Sequence, residues 1–196
     1  MLLTEEDPAW LNLDQDFPLW WKDVGFFWNT ERNGAAEVEL RKPDGTLVAS
    51  WVKPEAGFGA LVGFAPASKT LFFTGGPNPT AAALYRVVDG GAPELVKTPA
   101  DPLSTVAAKL TGGDGFFALA HTSAKAMPRH VVMRVDGSEA VEVPSVAIEP
   151  SLKLSMEIFQ LEGDGPWAAV LKPSNFVKGK KYPVVPVRFV QACVNG

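Results

Sequence analysis

A chain of 196 residues that is 46% hydrophobic and 10% aromatic carries enough apolar material for a folded domain with a core, which excludes a disordered chain. The formal net charge of −4 gives no basic footprint for nucleic acid, and no apolar run approaches the roughly 20 residues of a membrane helix, so neither partner is expected. The single Cys193 excludes an intrachain disulfide and a cysteine zinc cluster, and eighteen glycines with seventeen prolines predict short elements joined by tight turns.

The opening, MLLTEEDPAW, has neither a basic segment nor a long apolar stretch, and no signal peptide is expected there. The first aromatic pair, Phe26-Phe27, is followed by AEVEL, by the turn Asp44-Gly45, and by TLVASWV. The same phrase returns as Leu71-Phe72-Phe73, ALYRVV, Asp89-Gly90 and APELVK. It returns again as Phe116-Phe117, HVVMRV, Asp136-Gly137 and EAVEVP. Positions 26, 71 and 116 are 45 residues apart, and the Asp-Gly turns at 44, 89 and 136 follow at 45 and 47. Alternating runs of this kind predict half-buried strands, and Asp-Gly after them predicts hairpins. PLSTVAAKL, residues 102–110, reads as a loop or an entering strand rather than a helix. A period near 45 with several strands per unit is the signature of β-propeller blades. A β-sandwich also uses short strands and turns, but three matched units at near-constant spacing favour the propeller. After residue 150 the rhythm breaks. Two strands flank Gly163-Asp164-Gly165, a link carries Pro173, Asn175, Lys178, Lys180 and Lys181, and YPVVPVRFV predicts a strand apolar on both faces, inside a covered sheet.

Few side chains fall into a catalytic or binding pattern. His121 and His130 stand nine apart without an HExxH frame and are expected to be structural or surface residues, so no metal site is expected. Ser50 and Lys53 match Ser-x-x-Lys, but in a strand and without the companion motifs, which makes the match chance. GGPNP, residues 75–79, lacks the Gly-Lys-Ser/Thr ending of a phosphate loop and reads as a turn. The tryptophans at 10, 20, 21, 28, 51 and 167 form a ligand platform if exposed, but are expected to fill the layers between blades. Glu31 and Arg32 are expected to form a local ion pair or turn contact.

EEDPAWLNL followed by FFWNTERNGAAEVEL, then LFFTGGPNPTAAALYRV, then VLKPSNFVKGKKYPVV resemble, in this order, phrases of the dipeptidyl peptidase IV type of serine peptidase in the prolyl oligopeptidase clan. The resemblance runs from about residue 5 to about residue 187. It implies an all-β partial propeller of about three antiparallel blades over residues 1–150, with 151–196 a linker and the first strands of an α/β-hydrolase domain. It also implies peptidase ancestry, no cofactor, and a part in gating and positioning peptide substrates. The family's Gly-x-Ser-x-Gly elbow is missing around every serine (50, 68, 104, 123, 138, 145, 151, 155 and 174), so no catalytic residue is expected. Where the family carries an oxyanion-holding tyrosine the chain has Phe189, whose ring has no proton to donate, and from Val190 the sequence leaves the family pattern. A truncated or frameshifted gene and a shortened descendant both fit that departure. The family clamps a peptide's amino terminus with two adjacent glutamates. Glu5-Glu6 lies in a later part of the propeller than that clamp, and is expected to be two solvated acids near a mobile terminus. No substrate-binding residue is therefore expected. The expected partners are a second copy or a complementary chain that supplies further blades, and a peptide ligand.

Overall fold

The computed structural model describes residues 3–8, 10–77, 80–97, 104–110, 115–123, 126–149, 151, 155–163 and 165–187. Three four-stranded antiparallel meanders follow one another in the chain. The first holds β1 (Leu19–Trp21), β2 (Gly25–Thr30), β3 (Glu37–Arg41) and β4 (Leu47–Val52). The second holds β5 (Phe58–Ala65), β6 (Thr70–Gly75), β7 (Ala83–Val88) and β8 (Glu94–Lys97). The third holds β9 (Ser104–Leu110), β10 (Phe116–Ser123), β11 (Arg129–Arg134) and β12 (Glu139–Val143). Each is ordered as it is in sequence, so every repeat read from the sequence is one blade, and the entering-strand reading of PLSTVAAKL is the one realised. The only helical element among the described residues is a 3₁₀ turn at Pro54–Ala56, and no helix is long and apolar enough to cross a membrane.

The aromatic pairs set the stacking. Successive strand residues point to opposite faces, so a Phe-Phe pair serves two layers at once. Phe73 faces the first sheet, in a core with Phe27, Val38, Trp51, Phe58 and Leu71. Phe72 faces the third sheet, with Leu84, Val106, Phe117, Leu119 and Met133. The Phe72 and Phe117 rings meet edge to face at 4.6 Å, and those of Phe27 and Phe64 at 4.9 Å. Burying one such side chain contributes about 1.5–3 kcal/mol, and these rings make the second sheet the middle of a stack.

The Asp-Gly turns follow from the same sequence in two ways. At Asp44-Gly45 the carboxylate accepts the Thr46 amide at 2.9 Å and Gly45 sits at φ 89°. Asp136-Gly137 repeats this, with the Ser138 amide at 2.8 Å and φ 96°. Those amide bonds first, then the Thr46 and Ser138 side chains, hold both carboxyls below their ordinary value against a small opposing effect of burial. Asp89-Gly90 instead has two successive residues at positive φ, 48° and 72°, a tighter two-residue turn.

Beyond the third sheet, β13 (Ser155–Gln160) pairs with β14 (Trp167–Lys172) as a lone antiparallel hairpin. The Pro/Lys-rich link closes into a loop in which the Tyr182 hydroxyl accepts the Val177 amide at 2.9 Å and its ring stacks on Phe176. YPVVPVRFV departs from its expected role: its described part, up to residue 187, belongs to no sheet, and Val185 is 85% exposed. Pro183 and Pro186 offer no amide to a ladder, and no strand among the described residues pairs with the segment.

Candidate functional site

The outer face of the first sheet, turned away from the second, is polar yet buried. Cross-strand register places Phe26 opposite Arg41, Trp28 opposite Glu39 and Thr30 opposite Glu37. The AEVEL alternation predicts solvent for those acids; instead all five residues of β3 are buried. Arg41 donates from Nε and Nη2 to Glu39 Oε2, at 2.8 and 2.5 Å, and from Nη1 to the Gly45 carbonyl at 2.8 Å. Glu37 accepts from Asn33 Nδ2 at 2.6 Å.

At the far end of β2 the N-terminal segment crosses this edge. Trp28 and Thr30 alternate along one side of β2, Arg32 opens the turn that follows it, and the donors of all three converge on one carboxylate. Trp28 Nε1 donates to Glu5 Oε1 at 2.9 Å, Thr30 Oγ1 to Oε2 at 3.1 Å, and Arg32 Nη2 forms an ion pair with Oε1. Partial burial raises the Glu5 pKa, but the hydrogen bonds from Arg32 and Trp28, the Arg32 charge and the Thr30 hydroxyl outweigh it and hold the carboxyl below its ordinary value. Asn12 Nδ2 donates to both oxygens of Glu31, at 3.1 and 2.9 Å. Glu5, Trp10, Asn12, Trp28 and Arg32 line a groove whose cavity is about 40 Å³, room for a water or two and not for a peptide side chain.

Two expectations are corrected here. Glu5 is not a solvated acid: three donors at the end of β2 hold it. Arg32 makes its ion pair with Glu5 and not with its neighbour Glu31, whose carbonyl instead accepts the Gly34 amide at 2.9 Å in the turn that follows β2. Spacing at 28, 30 and 32 was the readable signal for the cluster; its partner 23 residues upstream was not.

The remaining candidates do not gather. His121 on β10 lies opposite Arg129, and His130 on β11 lies opposite Ala120. Among the described residues no group of three His, Cys, Asp or Glu side chains could hold a metal ion. Ser50 is half-buried on β4 while Lys53 is exposed, and the Ser50 hydroxyl oxygen has no hydrogen-bond partner. In GGPNP, the Gly76 amide donates to the Gly57 carbonyl at 2.8 Å, closing a turn; Asn78 and Pro79 lie outside the described residues. Trp51 is buried between sheets and Trp21 packs against it, whereas Trp10, Trp20 and Trp167 are exposed. Phe189 and Cys193 also lie outside the described residues.

Three stacked antiparallel meanders of this kind define a propeller-blade protein. Residues 1–126 match the family model of the dipeptidyl peptidase IV N-terminal region, and the chain belongs to that family. The structure is similar to that of Porphyromonas gingivalis dipeptidyl peptidase 4, with a TM-score of 0.66 at 19% identity, over 81% of this chain and 24% of that one. The chain thus spans about a quarter of the length of that relative, and the likeness establishes the fold. No curated protein matches it in sequence.

Proposed function

We propose that this chain supplies propeller blades that gate and position peptides in the manner of a dipeptidyl peptidase IV-type serine peptidase, and that it performs no acyl transfer by itself. Residues 151–196 then act as a linker and the opening strands of a peptidase domain. The observation that carries the reading is the family match over the first two sheets and much of the third, in a sequence where no serine stands in a Gly-x-Ser-x-Gly frame. Acyl transfer needs a nucleophile, a base and oxyanion donors within hydrogen-bond reach of one another. The test offers the purified chain a chromogenic Xaa-Pro dipeptide and a fluorophosphonate. No turnover and no covalent labelling are expected; labelling of any serine overturns the reading.

A second reading, an interaction module that self-associates or completes a partner chain, is favoured by one observation. The outer face of the third sheet exposes Phe116, Val141 and Val143, and the hairpin exposes Phe159, Trp167 and Leu171. An isolated two-stranded hairpin is marginal in water, so these surfaces call for a cover. Light scattering over a hundredfold concentration range tests it; an unchanging monomer mass ends it.

A further inference from the structure

The geometry points to a carboxylate-receptor site on the edge of the first sheet, built by Trp28 Nε1, Thr30 Oγ1 and Arg32, with the chain's own Glu5 as a resident ligand that an acidic peptide displaces. The inference stands apart from the peptidase reading, since it needs only this edge. Three donors of different types, an indole N–H, a hydroxyl and a guanidinium, meet on one carboxylate within 3.1 Å for the first two. Charge-assisted bonds of this kind are about twice as strong as neutral ones and select an ionised carboxylate over an amide. The donors are fixed independently of Glu5. Trp28 and Thr30 are ladder residues of β2, and Arg32 Nε also donates to Thr30 Oγ1 at 3.2 Å.

The ligand, by contrast, rides on a segment with little apolar hold. Between residues 3 and 16, Trp10 is 67% exposed and Leu13 83% exposed, and Leu11 is exposed as well. Its anchors include Glu5 on its three donors, Asn12 on Glu31 and Asp16 on Lys109, all polar. With these few anchors and little buried apolar surface the segment lifts as a unit, whereas β2 beneath it is held by its ladder. The closed groove has no room for a peptide side chain, so binding requires that lift, and the resident Glu5 competes at the high effective concentration of a tethered ligand. Removing Glu5 removes the competitor and leaves the donors in place. The incoming carboxylate comes from a glutamate side chain or from a peptide C-terminus.

The experiment follows the Trp28 indole N–H resonance in ¹H–¹⁵N spectra of the full chain, assigned through Trp28→Phe. Three blocked tripeptides are titrated: one amide with a central glutamate, one with a central glutamine and a free C-terminal carboxylate, and a neutral glutamine amide as control. In Glu5→Ala the resonance shifts, and an acidic tripeptide returns it towards its wild-type position with a Kd at least tenfold below that for the unsubstituted chain. Which of the two acidic peptides does so identifies the source of the carboxylate. Adding Arg32→Met to Glu5→Ala weakens the response at least tenfold. Should Glu5→Ala not fold, Glu5→Gln keeps an acceptor for Trp28 and Thr30 while removing the charge, and the same tightening is expected. Acidic peptides that act no differently from the neutral control, or that bind the unsubstituted chain as tightly as either variant, overturn the site.

Discussion

Phe72 and Phe117 offer the sharpest perturbation of the stack. They are 1% and 0% exposed, come from different sheets and meet edge to face at 4.6 Å. Truncating either to alanine removes a ring from a core that also holds Leu84, Leu119 and Met133, and such Phe→Ala changes cost about 3–5 kcal/mol. A domain of this type has about 5–15 kcal/mol in all, so each single variant stays folded with a lower midpoint. The double variant is expected to lose less than the sum of the two, by about 1 kcal/mol, because an edge-to-face pair contributes about 0.5–1.5 kcal/mol beyond its buried area and the two cavities merge. Phe116→Ala is the internal control. It is one residue away but 42% exposed on the opposite face, and should cost about 1 kcal/mol or less. Urea unfolding followed by tryptophan fluorescence and far-UV dichroism reads all four. A slip of β10 by one residue exchanges Phe116 and Phe117, so equal losses at the two positions, or no coupling between Phe72 and Phe117, would refute the stacking.

Three further outcomes follow from local geometry. Gly57 sits at φ 65°, and an added Cβ would lie 2.3 Å from the Gly76 carbonyl oxygen, so Gly57→Ala should destabilise in urea unfolding by more than Gly34→Ala, which carries the backbone strain of φ 90°, about 1 kcal/mol, but meets no atom within 4 Å. Glu39→Ala leaves the buried Arg41 guanidinium without its carboxylate and should cost about 3–5 kcal/mol, while replacing Glu39 and Arg41 together with methionine and leucine recovers most of the loss; a single variant as stable as the parent would contradict the buried pair. Because the Glu5 pKa is lowered in the folded chain, its contribution is complete above its ordinary value of 4.5 and fades as pH falls through the lower folded value. The Trp28 indole resonance should therefore hold steady from neutral pH down to about 4.5 and move below it, and should stay flat in Glu5→Gln; movement beginning above that range counts against the contact.

The repeat was legible because propeller blades reuse one phrase, and the aromatic pairs fixed which strand is which before any coordinate. What each residue of a pair faces was not legible. Phe72 and Phe73 look alike in sequence, and only the stack decides that one serves the third sheet and the other the first. The alternation in AEVEL was read as one buried face and one wet face, the rule for a sheet with solvent on one side. It failed because β3 is buried on both faces, and the acids there persist by pairing with Arg41 and Asn33. The Asp-Gly signal located all three turns but not their type, since Asp44 and Asp136 bond forward to a Thr or Ser amide whereas Asp89 takes a positive φ itself. The Glu5 contact was out of reach because it joins positions 23 to 27 residues apart through side chains, which no local period encodes.

The two ends of the stack differ, and the difference constrains any association. Three blades that do not close into a ring leave two end faces. One of them, on the first sheet, carries buried polar residues and the Glu5 contact, with Trp20 and Leu47 exposed beside them. Head-to-tail growth would press the exposed Phe116, Val141 and Val143 of one copy against the face of the next that holds Glu39, Arg41 and the crossing segment, where further desolvation of the buried ion pair opposes it. A face that pairs only with its own kind closes a two-fold dimer, whereas a face complementary to the other end makes a filament. Self-association through the third sheet should therefore stop at two copies, and Val141→Lys, placing a charge on that face, should return the chain to a monomer without lowering its urea midpoint.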